Sequence, residues 1–258
     1  MNQAFSTFAR RTLLAACIAG SLAATTHVAA APWDWGGEQV QGSGRIVKQV
    51  RQVGNFNGLS LGLAGHVELR IGNTEGVTIE ADDNLLPLIE TVVEDGMLKI
   101  RATRRNLNLK STSIRVVVQA RSIERLALGG SGSIDADALR ARKLEIDLGG
   151  SGSIKLKGVE SRTMAVSLGG SGDLQAARGT IGELTVSIGG SGDVDLGRVQ
   201  ANSASVTIAG SGEATVWPRN ALSATIAGSG DVNYYGDPQV SKSTVGSGGV
   251  RRMGASPK

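Results

Sequence analysis

LGGSGDLQAA, from Leu168 to Ala177, decides the fold, because its core returns along the chain at a fixed spacing. Gly-Ser-Gly begins at Gly130, Gly150, Gly170, Gly190, Gly210, Gly228 and Gly246, in steps of 20, 20, 20, 20, 18 and 18 residues. A constant period near 20 residues marks a solenoid, in which each repeat buries its apolar face against its neighbours. Within each unit the apolar residues alternate. Leu184, Val186 and Ile188 precede one turn, and Val194 and Leu196 follow it. Alternation means short strands with one face buried and the other wet. Each unit therefore reads as strand, Gly-Ser-Gly turn, strand, then a variable corner. The chain is expected to be all-β, a right-handed parallel β-helix with coils of about 20 residues stacked at roughly 4.8 Å. The hand follows the general rule for parallel crossovers. Glycine suits a corner that needs positive φ. The serine between the glycines would stand in a column, its hydroxyl capping corner backbone groups or bonding along the stack.

Composition agrees with that architecture. The 258-residue chain is 40% hydrophobic but only 3% aromatic, so its core must be built from Leu, Ile, Val and Ala. Its 37 glycines come with only 5 prolines and no collagen triplet, and strand-like segments separate them. Low-complexity disorder does not fit that pattern.

Residues 1–30 read as an export signal. Arg10 and Arg11 precede an apolar run from Leu13 to Ala24, and Val28-Ala29-Ala30 offers a small-residue cleavage site. The run is too short to span a bilayer, which needs about 20 residues. Arg10-Arg11-Thr12-Leu13-Leu14 also loosely matches a twin-arginine signal. Leu14-Ala15-Ala16-Cys17 resembles a lipoprotein box, with a short apolar region before it and no polar tether after it. Cleavage after Ala30 leaves no cysteine, so no disulfide is needed in an oxidising compartment. Residues 31–45 read as a linker, residues 46–250 as one β-helical domain, and residues 251–258 as a basic, solvated tail. Without the two signal arginines, 25 basic residues face 23 acidic ones, a net of +2. No basic run or aromatic-basic interleaving points to nucleic acid.

The front of the domain is less regular. Asn57 to Gly72 looks like a degenerate unit. Leu59, Leu61 and Leu63 alternate, Ala64-Gly65-His66 replaces the glycine turn, and Val67 and Leu69 follow. GVTIEAD, GMLKIRA and STSIRVVVQA supply further strands, with a helical turn expected near Leu85–Ile89. Phe56-Asn57-Gly58-Leu59-Ser60-Leu61, Asn84-Leu85-Leu86, Gly96-Met97-Leu98-Lys99-Ile100 and the array behind them resemble the auto-transporter adhesin head domain, or head GIN domain, of exported bacterial proteins. The resemblance covers nearly the whole chain after the signal. It implies a β-helical fold and an envelope or extracellular location, and it brings no catalytic residues. No series of ~10-residue alternating strands follows to form a translocating barrel, so self-transport is not expected.

The position after each Gly-Ser-Gly is the most pointed chemical feature. It reads Ser133, Ser153, Asp173, Asp193, Glu213, Asp231 and Gly249. If the coils stack, four carboxylates form a candidate binding ladder. Neighbouring charges about 4.8 Å apart repel by somewhat under about 1 kcal/mol in water. Either turn N–H groups offset this, as in Asx turns, or a cation does. The calcium nonapeptide repeat differs in both period and aspartate placement. His66 is the one histidine after the signal and reads as a surface residue in a turn. Without Cys/His clusters no zinc site is expected, and no lysine follows the glycines as in a phosphate loop. No cofactor is expected. Asp173, Asp193 and Arg178 or Arg198 fit a polysaccharide-cleaving role only by force, since nothing in the sequence sets their pKa values apart. Trp217, Tyr234 and Tyr235 fall in the last coils, where they would cap the open core, with sugar contact as the other reading. The leading expectation is a non-catalytic binding or adhesion module of the envelope, with a cell-surface or polysaccharide ligand. A purely structural envelope protein and a carbohydrate-active enzyme are the rivals. Oligomeric state is left open.

Overall fold

A computed structural model describes residues 38–257 apart from Thr112. The export signal, Cys17, Trp33 and Trp35 lie outside the described residues. From Arg125 onward the chain winds as a parallel β-solenoid. Leu126, Ile146, Val166, Val186 and Val206 stack in register, and so do Ile134, Ile154, Leu174 and Val194. Each full coil has three short sides, shown by three successive runs of pairing between residues 133–150 and 153–170. Side chains alternate between a closed interior of Leu, Ile, Val and Ala and the solvent. That pattern follows from the two-residue period of a strand.

The Gly-Ser-Gly corner works through its backbone. The first glycine of every turn has positive φ, from +117° at Gly130 to +158° at Gly190. Its carbonyl accepts the serine N–H of the next coil, as in Ser171 to Gly150 and Ser191 to Gly170, both 2.9 Å. It is the serine's N–H that bonds along the stack, while its side chain faces solvent. The coils approach so closely here that a Cβ on Gly170 would lie within 3.0 Å of the Gly150 carbonyl oxygen.

At the N-terminal end spatial order departs from chain order. Gly58–Leu61 and His66–Ile71 form the degenerate coil, paired in parallel with residues 125–128 and 133–136. Its other edge carries Met97–Ala102 and Arg115–Ala120, a coil later in sequence. The chain then returns across the first coil to Arg125, burying Ile123 on the way. Antiparallel strands finish this end. Ile89–Glu94 pairs with Met97–Ala102, while Gly76–Asp82 lies between Arg115–Ala120 and Ile46–Arg51. The expected helical turn is a 3-10 turn at Leu86–Leu88.

Three local expectations need correction. The stretch read as a linker, residues 31–45, contains a strand at Gln39–Gln41 paired with Asn108–Lys110. Its off-register Gly42-Ser43-Gly44 closes around acids. Gly44 N–H donates to buried Asp82 at 2.6 Å, Ser43 Oγ and Arg45 bond Asp83, and Asn84 Oδ1 accepts the Ser43 N–H at 2.9 Å. The tail is solvated, with Arg251, Arg252 and Met253 exposed, but it is not a free end: Gly249–Gly254 is a strand paired with Asp231–Tyr235. The aromatic cap is also only partial. Tyr234 packs against the core, but Trp217 and Tyr235 are half-buried at the surface. In the final coil Val240, Lys242 and Thr244 take the register positions of buried Leu222, Ala224 and Ile226. Lys242 and Thr244 make that end more polar than the coil beneath it, while Val240, Val245 and Met253 remain exposed.

Candidate functional site

Register aligns the residues after the glycine turns into one column. It runs Arg115, His66, Ser133, Ser153, Asp173, Asp193, Glu213, Asp231 and Gly249. The four predicted acids are therefore consecutive. Asp173, Asp193 and Glu213 are exposed, and Asp231 is half-buried. Backbone donors moderate their repulsion. Asp193 Oδ1 accepts the N–H of Glu213 at 3.1 Å, and Asp231 Oδ1 accepts that of Gly249 at 2.8 Å. Each of these donors belongs to the next coil, not to the acid's own turn. His66 begins a strand between Arg115 and Ser133 in the column, where its Nδ1 lies 2.9 Å from Ser133 Oγ and its Nε2 lies 3.6 Å from Asp135. Among the described residues no group of three or more His, Cys, Asp or Glu is disposed to hold a metal ion.

Two residues further along each coil runs a second outward column, Asp135, Lys155, Gln175, Asp195, Thr215, Asn233 and Arg251. Near the C-terminal end it meets the ladder in a groove of about 470 Å³, lined by Asp195, Glu213, Thr215, Asn233, Tyr235 and Met253. Glu213 is the one ladder acid on this wall; Asp173, Asp193 and Asp231 are not part of it. Asn233 Nδ2 donates to Glu213 Oε1 at 2.6 Å. Asp195 is held by the Gly197 N–H on Oδ1 at 3.0 Å and by Gln175 Nε2 on Oδ2 at 3.4 Å. Sequence reasoning singled out Tyr235 as a cap, with sugar contact as the other reading, and passed over Asn233 and Asp195 as strand residues. This column stands at the third residue past each glycine turn, two beyond the ladder, so the same repeat makes it legible.

Shifted carboxylates gather at the other end of the molecule. Asp137 bonds Lys157 Nζ at 2.9 Å and the Ile71 N–H at 3.2 Å, and Lys157 above all holds its carboxyl below the usual range. Arg70 does the same for Glu68, Lys99 for Glu94, and Ser43 followed by Arg45 for Asp83. These pairs tie the early coils and the N-terminal clasp together. A general acid needs the opposite shift, a carboxyl held above its usual range.

Residues 55–238 match the family model described as "Putative auto-transporter adhesin, head GIN domain". The chain belongs to that family. Solved structures share the fold. A "putative adhesin" from Bacteroides fragilis aligns with TM-score 0.77 and 20% identity, over 83% of this chain and 100% of its own. A "putative lipid binding protein" from Parabacteroides distasonis aligns with TM-score 0.68 and 26% identity, over 84% and 100%. A "putative adhesin" from Parabacteroides merdae aligns with TM-score 0.64 and 20% identity, over 83% and 99%. No curated protein matches the chain. Membership in an adhesin-named family points to a surface binding role. No helix of the described residues is long and apolar enough to cross a membrane.

Proposed function

We propose that this head GIN domain protein is an exported, non-catalytic binding or adhesion module of the cell envelope. The observation that carries the reading is the outward display of polar groups on a rigid stack. Two columns repeat coil by coil at about 4.8 Å, and they converge on a groove beside Tyr235. Such a surface suits an extended ligand, because successive coils offer polar groups at equal intervals, four of them carboxylates in a row. The ladder acids Asp173, Asp193, Glu213 and Asp231 contribute charge to it, and Asn233 and Tyr235 contribute shape. The family name supports attachment to a surface, and the lipid-binding name of one structural relative makes membrane a comparison worth including.

Retention of the labelled protein on bacterial cells, immobilised polysaccharides and phospholipid vesicles tests the proposal. Saturable retention on cells or polysaccharide is expected. Retention on vesicles alone would replace adhesion with lipid binding. A folded sample held by none of them would leave a structural envelope protein.

A further inference from the structure

We infer that the groove at Asp195, Glu213, Asn233 and Tyr235 is a saccharide subsite, an inference that rests on the binding role proposed above. Its volume of about 470 Å³ falls in the range of small-ligand sites, roughly 300–1,000 Å³. Volume alone would not single it out. The deciding group is Asn233. It stands in the outward column, in register with Thr215, yet only 6% of it is exposed. Its Nδ2 is used on Glu213, while its Oδ1 is buried without a partner. A buried acceptor left unmatched is costly, and native structures keep few of them. The missing partner is a donor, and a ligand hydroxyl in the groove supplies one once the Asn233 side chain turns its closed-off Oδ1 toward it.

The remaining walls select the ligand class. The carboxylates of Asp195 and Glu213 accept hydrogen bonds and cannot donate when ionised. With Asn233 Oδ1 they make a cluster of acceptors suited to several hydroxyls on one ring. The Tyr235 ring and Met253 add apolar surface for the C–H face of that ring. Only two carboxylates line the groove, and among the described residues no group of three or more His, Cys, Asp or Glu is disposed to hold a metal ion, which counts against a metal cation. Adjacent hydroxyls on one side of a ring and C–H bonds on the other describe a neutral sugar.

Tyr235 is also seated by design of the coil beneath it. A Cβ on Gly197 would come 3.2 Å from Tyr235 Cε2 and 2.8 Å from Thr215 Cγ2. Glycine at that corner lets the tyrosine lie close to the stack. The same Gly197 donates its N–H to Asp195 Oδ1, so one residue positions both the ring and a carboxylate.

The test is a backbone amide NMR titration of the protein with soluble neutral hexaoses (gluco-, manno-, galacto- and chito-), and separately with calcium chloride. Amides of Gly197, Thr215, Asn233 and Tyr235 are expected to shift together and saturate with at least one hexaose. Tyr235→Ala, which removes a half-buried surface ring, is expected to weaken that binding at least tenfold. Gly197→Ala, which displaces the ring without deleting it, is expected to weaken it as well. No groove shift with any hexaose, in a protein still retained on cells, overturns the subsite and leaves the binding module standing. Groove shifts without retention on any surface would do the opposite. The same shifts with calcium alone would overturn the saccharide assignment in favour of a cation.

Discussion

Replacing Gly170 by alanine should destabilise the protein, whereas replacing its neighbour Gly169 should not. Gly170 has φ +140°, in the half of the map that costs an L-residue about 1–2 kcal/mol. Its new Cβ would press within 3.0 Å of backbone atoms of Gly150, which cannot rotate away. Overpacking of that kind costs about 1–3 kcal/mol. Against this stands the unfolded-state gain of replacing glycine, about 0.4–1 kcal/mol. The net expectation for Gly170→Ala is a loss of about 1–5 kcal/mol. A Cβ on Gly169 meets nothing within 4 Å, and alanine already stands further along that column at Ala209 and Ala227. For Gly169→Ala only the unfolded-state gain remains, a stabilisation of up to about 1 kcal/mol. Urea unfolding followed by circular dichroism reads both, provided the slope m is unchanged so that the midpoint reports stability. Gly246→Ala supplies a contrast. It makes the same clash in the last coil, where residues 239–254 can fray alone, so amide exchange should rise there while the main midpoint holds. Equal midpoints for Gly169→Ala and Gly170→Ala would refute the account of the glycine column.

Acid should weaken the protein through Glu68, Asp83, Glu94 and Asp137, whose carboxyls are held below their ordinary values in the fold. For a depressed group the stability is fully present above the unfolded pKa, near about 4, and is lost as pH falls through the folded value. Thermal midpoints should be flat in carboxylate titration from pH 8 to 6 and then fall below about pH 4, and Asp137→Asn should show a shallower fall than the parent. In the ladder, Asp193→Asn and Asp231→Asn keep an oxygen able to accept the next coil's N–H, and their melting should stay within about 0.5 kcal/mol of the parent. The alanine versions lose that acceptor and should each cost about 0.5–1.5 kcal/mol; equal effects of Asn and Ala would remove the hydrogen-bond role.

Much of the fold was legible because its contacts repeat at one offset in sequence. Residue 148 meets 168 and residue 168 meets 188, so a period of 20 is at once a sequence pattern and a contact map. The degenerate unit at residues 57–72 kept enough alternation to be found. The acid ladder was legible for the same reason, since one fixed place in each unit becomes one column. Gln39–Gln41 was not, because three polar-flanked residues carry no alternation long enough to read. Nor was the clasp, whose meaning depends on Asp82 and Asp83 some 40 residues away in sequence.

By itself the sequence determined the coil: its length, its alternating interior, its glycine corner and the register that follows from them. These are nearest-neighbour properties, and a period records them. Tertiary structure alone decided how the ends are finished. The coil of residues 97–120 stacks ahead of the coil that precedes it in the chain, on an edge that hydrogen bonding had to fill. At the other end Gly249–Gly254 adds one more parallel side at the 18-residue step, and a register shift at Tyr235 accompanies the arrival of Met253 beside Asp195 and Asn233 in one groove. The N-terminal pairings hold between residues whose separation matches no repeat, and the C-terminal register shift breaks one, so nothing local in the chain announces either.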